Sequence, residues 1–363
     1  MKLLDVRDFD LTGKTVLLRT DYDVPMVRKT EGGEQKTVVG DETRIKDSLP
    51  TINHLLSKQA KIIILSHLDR PDGKIVQELS LSPVAEKLKE LLPEVNFQFP
   101  VSNFQLISND ELEKLDGEII LLENLRFSPG EEANNSEFAL KLASLGDFYV
   151  NDAFACSHRE HASIVGLPKL LPHAAGLDLL EEVNVLSAVR EKPKRPVVFI
   201  LGGAKEDKLD SISGLSGWAD KILIGGKLPL IITNYSREAG SRSAGQFPVS
   251  NEKLIIGTLG KEGKDITLET IEKFTEIIKS AGTIIWSGPI GEYEIKDWEH
   301  GTKMIAQAVC ESAAFKIIGG GDTEAALTKF GLDKKIDYVS SGGGAMLEFL
   351  AYGPLPGIMA LCQ

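Results

Sequence analysis

The sequence predicts an α/β protein of two lobes, each a parallel sheet with helices on its faces. Three observations carry that prediction. Short β-branched apolar runs alternate along the chain with segments of helical spacing, the pattern of parallel strands joined by crossover helices. The residues just after these runs change character at mid-chain, from charged and hydrogen-bonding side chains to glycines. A chain of 363 residues, 42% of them hydrophobic and 26% charged, also suffices for two cores of ordinary size.

In the first half the apolar runs are TVLLR (15–19), KIIIL (61–65), EIILL (118–122) and DFYV (147–150). In the second they are PVVFIL (196–201), KILI (221–224), TIIW (283–286), FKII (315–318) and DYVS (337–340). Such runs lack the polar alternation of a half-exposed strand, as strands covered on both faces should. Helical candidates lie between them: TRIKDSLPTINHLLSKQ, with Pro50 near a helix start or kink, then SPVAEKLKELL, NSEFALKLASL and LETIEKFTEIIKSA. There is no repeat of fixed period and no low-complexity tract.

Acids outnumber bases 53 to 41, a net charge of -12, which argues against a nucleic-acid partner and requires any anionic substrate to find a local basic patch. The amino terminus, MKLLDVRDFDLTGK, has no apolar core of signal-peptide length, and no stretch approaches the roughly 20 apolar residues of a membrane span. A cytoplasmic protein without a membrane partner is expected. Cys156, Cys310 and Cys362 are far apart and lack CxxC spacing, so neither a disulfide framework nor a zinc site is indicated.

In open parallel sheets the ligand lies outside the carboxyl ends of the strands, so the residues after each run should line pockets. After the first-half runs come Asp21 and Asp23, then SHLDRP (66–71), ENLRF (123–127) and NDAFACSHREH (151–161). His67, Arg70, Arg126 and Arg159 thus reach one edge from separate strands, and arginine forks suit phosphate and carboxylate. His158 and His161 are weaker candidates, since a loop histidine is more often a structural hydrogen-bond donor. After the second-half runs come GGAK (202–205), GGK (225–227), SGPIG (287–291), GGGD (319–322) and SGGG (341–344). Glycines at a strand end before a helix let backbone N–H groups approach phosphate oxygens. The best instance is IIGGGDTEAALTKF, with Asp322 and Thr323 at the expected helix start; Asp322 alone could be an N-cap. The spacings GxxxxGKS and GxGxxG are both absent. A polyanion pocket in one lobe and a nucleotide pocket in the other suggest phosphoryl transfer by positioning and charge neutralisation. No general base stands out, which fits a carboxylate acceptor already ionised at neutral pH.

TDYDVP, DETRIKDSLPTI, SHLDRP, LLENLRF, VNDAFACSHREHAS, ILGGAK, IIWSGPIGEYE, IIGGGDT and SSGGGAMLEFL stand in the order and spacing of phosphoglycerate kinase, and the sequence resembles that family along nearly its whole length. The resemblance implies two Rossmann-like lobes in a hinge-bending kinase: residues 1–180 for 3-phosphoglycerate, 181–345 for Mg-ATP or Mg-ADP, and a hinge helix within 176–192. Residues 346–363 would pack back on the first lobe, and a monomer is expected. It further implies that Asp21, Asp23, Arg44, His67, Arg70, Arg126 and Arg159 hold phosphoglycerate, with Arg44 facing the moving phosphoryl group. Gly203, Ala204, Lys205, Lys208, Ser287, Glu294, Gly320, Gly321, Asp322 and Thr323 would hold the nucleotide, Asp322 positioning Mg2+ and Glu294 meeting the ribose. Arg44, Lys205, Gly321 and Gly344 would form the catalytic set.

Several departures fall inside these motifs. The family's DFNVP is DYDVP here, so a carboxylate replaces an amide at Asp23; SHLGRP is SHLDRP, placing Asp69 near the cations. WNGP is WSGP at Ser287, GGGMA is GGKLP at Lys227, and a family lysine is Glu181. GGAKEDK is one residue shorter than GGAKxxDK, and a one-residue slip at a helix start rotates a side chain by about 100 degrees, which displaces Lys208. Extra carboxylates beside a bound anion would each cost about 1 kcal/mol. Two further readings therefore stand beside the first: a related carboxylate kinase with another acceptor, and a nucleotide-binding pseudoenzyme of the same fold.

Overall fold

The structure, a computed structural model, describes residues 2–31, 34–100, 115–238 and 252–362. The chain divides into two compact units, Met1–Val183 with Pro354–Gln363, and Asn184–Gly353.

In the first unit the chain runs β1 (Thr15–Thr20), a hairpin of β2 (Met26–Glu31) and β3 (Glu34–Val39), α1 (Thr43–Asp47), α2 (Leu49–Ser57) and β4 (Lys61–Leu65). It continues through α3 (Ser82–Leu91), β5 (Phe97–Gln98), β6 (Ile119–Leu121), α4 (Pro129–Glu132), α5 (Ser136–Ala143), β7 (Phe148–Asp152) and β8 (His173–Ala175). Then α6 (Leu177–Glu191) leads out of the unit, which ends at Val183 within that helix. The segment expected to hold Pro50 is two helices: the chain breaks at Ser48, and Pro50 sits in the first turn of α2, where a missing N–H costs nothing.

One sheet of this unit is ordered β5-β6-β4-β1-β7-β8, with every pairing parallel. From β1 the chain builds outward through β4 and then returns to add β7 on the other side, so the strand order reverses beside β1. Such a reversal opens a crevice at the carboxyl ends of the strands. Both faces of the sheet are covered: Val16, Leu18, Ile62, Ile64, Ile119, Leu121 and Val150 on one face enter an apolar cluster with Ile45, Ile52, Leu55, Val84 and Leu88 of the helices, and Leu17, Ile63, Ile120 and Tyr149 on the other are fully buried.

The second unit repeats the plan with β9 (Val197–Leu201), α7 (Ile212–Ser216), β10 (Lys221–Ile224), α8 (Leu228–Glu238), β11 (Leu254–Ile256) and α9 (Leu268–Lys279). It closes with β12 (Thr283–Ser287), α10 (His300–Glu311), β13 (Phe315–Gly319), α11 (Gly321–Lys329), β14 (Tyr338–Ser340) and α12 (Gly343–Tyr352). The sheet order is β11-β10-β9-β12-β13-β14, again all parallel, and the reversal lies between β9 and β12. Val198, Ile200, Ile284 and Trp286 pack with Phe274, Ile278, Ile305 and Val309 of α9 and α10. The return to the first unit begins at Pro354, later than the expected 346, because Ala345, Met346 and Phe349 of α12 are buried in the second unit. The short helix α13 (Pro356–Ala360) comes next, and Gly357 lies so close to the first unit that a Cβ there would collide with Ile164 and crowd Ser157.

Candidate functional site

At the end of β1 the strand delivers Asp21, almost wholly buried, and Asp23, whose side chain is 43% exposed. Arg44, projected by α1, donates through Nη1 to Asp21 Oδ2 at 2.9 Å and to the Asp23 carbonyl at 2.9 Å. The Asp21 charge, with Asp23 behind it, strengthens the hold of Arg44 on its proton. After β4 the backbone of Asp69 takes a left-handed turn (φ 52°), and its N–H donates to Asp23 Oδ1 at 2.9 Å. Arg126 caps the same turn, donating Nη1 to the Asp69 carbonyl at 2.7 Å, while its Nε lies 3.5 Å from Glu132.

Asp23 and Asp69 therefore clip the β1 and β4 loops together. A carboxylate in place of the family amide accepts the N–H that fixes the turn, and aspartate tolerates the left-handed conformation better than most residues. Asp23 does not occupy the Arg126 fork, which the Asp69 backbone and Glu132 engage.

His67 is buried, with Nδ1 at 3.2 Å from Arg19 Nη2 and Nε2 at 4.0 Å from Asp23 Oδ2. Burial, reinforced by the charges of Arg19, Arg126 and Arg44, holds His67 well below the usual histidine value, so its ring is neutral. At this position the pocket therefore has a neutral ring in place of a cation. The basic members of the pocket wall are Arg44 and Arg126, with Arg70 and Arg159 exposed on neighbouring loops. Glu123 of ENLRF is engaged by the segment just before α3, accepting from Ser80 Oγ and the N–H of Leu81.

Arg19 is the residue that motif spacing does not single out. It is fully buried one position inside the end of β1, and it braces Ser163, the Thr20 carbonyl and His67. A charged residue inside a strand covered on both faces was itself a signal, since such a charge is kept only with dedicated partners.

In the second unit the glycines pack the loops after β9, β10 and β12 against one another. A Cβ on Gly202 would collide with the Pro289 carbonyl, and one on Gly226 would collide with the Gly203 nitrogen. These loops exclude side chains and leave backbone at the crevice between β9 and β12. Lys208, despite the shortened loop, points back into it: the segment tightens into a 3-10 turn at Glu206–Leu209, and Nζ donates to the carbonyls of Gly202 at 2.9 Å and Ser287 at 3.1 Å. Burial lowers Lys208 to about 8, opposed by Asp322 and Asp207. Ala204 and Lys205 are exposed beside it, while Lys227 is paired with Glu292 at 3.1 Å.

Helix α11 starts one residue earlier than expected, with Gly320 (φ 93°) as the cap, so Asp322 stands exposed in the first turn and is no N-cap. A Cβ on Gly321 or on Gly344 would meet nothing within 4 Å, which leaves open space at the starts of α11 and α12. Thr323 is fully buried and its hydroxyl is already engaged, accepting from Gly288 N–H at 2.7 Å and donating to Gly319 O at 3.2 Å. It braces the β12 loop rather than offering its hydroxyl to a ligand. Glu294 is exposed after the β12 loop, and Ser287 is buried.

The residues thus form an anion-suited pocket wall in one unit and a glycine-built, helix-started crevice in the other. The profile of a family described as phosphoglycerate kinase matches residues 6–243 and 241–352. The chain is 39% identical over 99% of its length to phosphoglycerate kinase of Dictyoglomus turgidum, covering 98% of that protein. It is 40% identical over its whole length to that of Thermosipho africanus, again covering 98%. Among solved structures, phosphoglycerate kinase of Pyrococcus horikoshii superposes with a TM-score of 0.80 at 28% identity, over 99% of this chain and 98% of that one. That of Coxiella burnetii gives 0.75 at 34% identity, over 100% and 99%. With matches spanning both units end to end, the chain belongs to the phosphoglycerate kinase family.

Proposed function

We propose that this protein moves a phosphoryl group reversibly between ATP and the carboxylate of 3-phosphoglycerate, giving ADP and 1,3-bisphosphoglycerate, with the first unit holding the acid and the second the nucleotide. The observation that carries the assignment of roles is the pairing of Arg44 with Asp21 at the reversal of the first sheet, opposite in chemistry to the glycine loops at the reversal of the second. The acceptor carboxylate is ionised at neutral pH and attacks phosphorus directly, so no side chain has to remove a proton. The bond to the leaving oxygen of ADP breaks as the new O–P bond forms, and the phosphoryl oxygens gather charge along the way.

Arg44 stabilises that charge in this reading. Asp21 orients its guanidinium, and Arg126, Arg70 and Arg159 take the phosphate of the acid; Asp21 and Asp23 accept from its hydroxyl. On the nucleotide side Lys205 and Lys208, with the backbone of Gly203, Ala204, Gly320 and Gly321, hold phosphates, Glu294 meets the ribose, and Gly344 leaves space at the start of α12. Among the described residues no cluster of three or more His, Cys, Asp or Glu side chains is placed to hold a metal by itself. An exposed Asp322 beside phosphate-ready backbone fits Mg2+, which uses one or two carboxylates, substrate phosphates and water. Bound there, the ion would neutralise charge on the nucleotide phosphates. Helix α6 is the hinge in this reading, and the protein acts as a monomer in the cytoplasm.

The test is ADP release from Mg-ATP with 3-phosphoglycerate, with glycerate, with acetate and with no acceptor. Release that depends on 3-phosphoglycerate supports the reading. Turnover with another carboxylate alone would replace the substrate, and nucleotide binding without acceptor-dependent turnover would leave a pseudoenzyme.

A further inference from the structure

We propose that Ser163 and Glu131 are positioning residues: acting through the Arg19 guanidinium, they hold His67 as the neutral tautomer whose only ring proton is on Nε2. Arg19 and Glu131 are both fully buried, and no ion pair joins them directly at hydrogen-bond distance; the hydroxyl of Ser163 stands between them. Glu131 accepts from Ser163 twice, from the hydroxyl through Oε1 at 2.5 Å and from the N–H through Oε2 at 3.0 Å. The hydroxyl proton is therefore committed to Glu131, and the Ser163 oxygen has only lone pairs left for Arg19, whose Nε donates to it at 2.8 Å. Ser163 is fixed further by its place in a π-helical turn at Ala162–Gly166, a rare geometry that recurs at functional sites.

The other end of Arg19 then decides the histidine. A guanidinium has no acceptor, so the 3.2 Å contact between Nη2 and His67 Nδ1 can only be donation from Arg19 to a bare nitrogen. The proton must sit on Nε2. The alternative tautomer would have to pair Nδ1–H with Asp21 Oδ1, which lies 3.8 Å away, beyond hydrogen-bond reach. The charged and titratable groups that face the ring are Arg19, Arg126, Arg44 and His161 on the basic side and Asp21 and Asp23 on the acidic side. A second proton on the ring would break the Arg19 bond and place a cation among three arginines. His67 thus offers a ligand one fixed N–H instead of a charge.

That tautomer can be read without any substrate. In 1H–15N long-range NMR of the ligand-free protein, with His67 assigned from the spectrum of His67→Gln, Nδ1 should be unprotonated and Nε2 protonated, unchanged between pH 8 and pH 5.5. A proton on Nδ1, or on both nitrogens at pH 7, would overturn the proposal even if no variant could be made. In Ser163→Ala the ring should show mixed tautomers and titrate within that range, and Ser163→Thr, which keeps the hydroxyl, should restore the wild-type pattern. A variant that loses stability while keeping the tautomer would show Ser163 to be only structural and would overturn its role.

The consequence for substrate rests on the function proposed above. The ratio of KM for 3-phosphoglycerate in Ser163→Ala to that in wild type, in which substrate titration cancels, should change by about threefold or more between pH 8 and pH 5.5. A flat ratio alongside an altered tautomer would overturn the link between His67 and the substrate and leave the Arg19 relay standing.

Discussion

Asp23→Asn separates two effects that one side chain combines. Its Oδ1 accepts the Asp69 N–H that holds the β4 loop in a left-handed turn, and an asparagine keeps that acceptor. Stability should therefore change by less than about 0.5 kcal/mol. The charge is what disappears. A carboxylate 43% exposed beside His67 and Arg44 repels an anion bound at roughly 6 Å, and at an effective dielectric of about 50 that repulsion is about 1 kcal/mol. The KM for 3-phosphoglycerate should fall about fivefold, with kcat changed less. Steady-state rates at low ionic strength and again in 0.2 M salt provide the assay, and the gain should shrink in the higher salt because the site is partly open to solvent. Asp23→Ala serves as the control: it removes both charge and clip, and should lose stability by about 1 kcal/mol. An Asp23→Asn enzyme whose KM is unchanged or higher at low salt would refute the view that this carboxylate opposes the substrate.

The same geometry makes three other predictions. Thr323→Val strands the buried Gly288 N–H and should cost about 1–3 kcal/mol in urea unfolding, without a comparable loss of nucleotide affinity in the protein that remains folded. Lys208 is pulled down to about 8 by burial, so in its proposed role on the nucleotide phosphates binding must restore its proton as pH rises. The affinity for ADP, measured by calorimetry, should fall through pH 8 to 9.5 in wild type and lose that slope in Lys208→Met. At the start of α6, burial and the neighbouring Asp152, Glu182, Asp47 and Glu181 push Asp178 up to about 9. Its folded form holds a proton that the unfolded chain releases near pH 4, so it contributes stability at low pH that is lost as pH rises through about 9. Asp178→Asn should thus gain about 1–3 kcal/mol over wild type at pH 9 and far less at pH 5 in denaturant titrations.

The parallel architecture was legible because its strands are continuous apolar runs. KIIIL and KILI become β4 and β10 residue for residue, and the other runs gain or lose only a residue or two at their ends. The strands that were not legible are short or polar. The β2–β3 hairpin is mostly polar, and no apolar alternation flanks its Gly-Gly pair to make that turn signal stand out. Strands β5, β8 and β11 are too short for any periodicity to register. Charged residues at strand ends could be read as pocket-lining, but which of them remain cations could not. That depends on groups distant in sequence: burial keeps the histidine neutral, reinforced by Arg19, brought 48 residues along the chain to His67, and Ser163, 144 residues away, holds Arg19. Spacing likewise displaced Lys208, whereas the 3-10 turn returns its amine to the strand ends. The acids at positions 23 and 69 read as repulsive additions, and only the backbone shows that they also form a clip.

The central claim is that the Arg44 guanidinium, fixed by Asp21, meets the moving phosphoryl group. The direct measurement is the rate of ADP formation by Arg44→Ala at saturating Mg-ATP and 3-phosphoglycerate, beside wild type and Asp21→Asn. Loss of one preorganised charge of this kind costs about 100- to 1,000-fold in kcat. Arg44→Ala should lose that much, and Asp21→Asn, which keeps the guanidinium and loosens it, should lose less. An Arg44→Ala enzyme with kcat within about threefold of wild type would contradict the account.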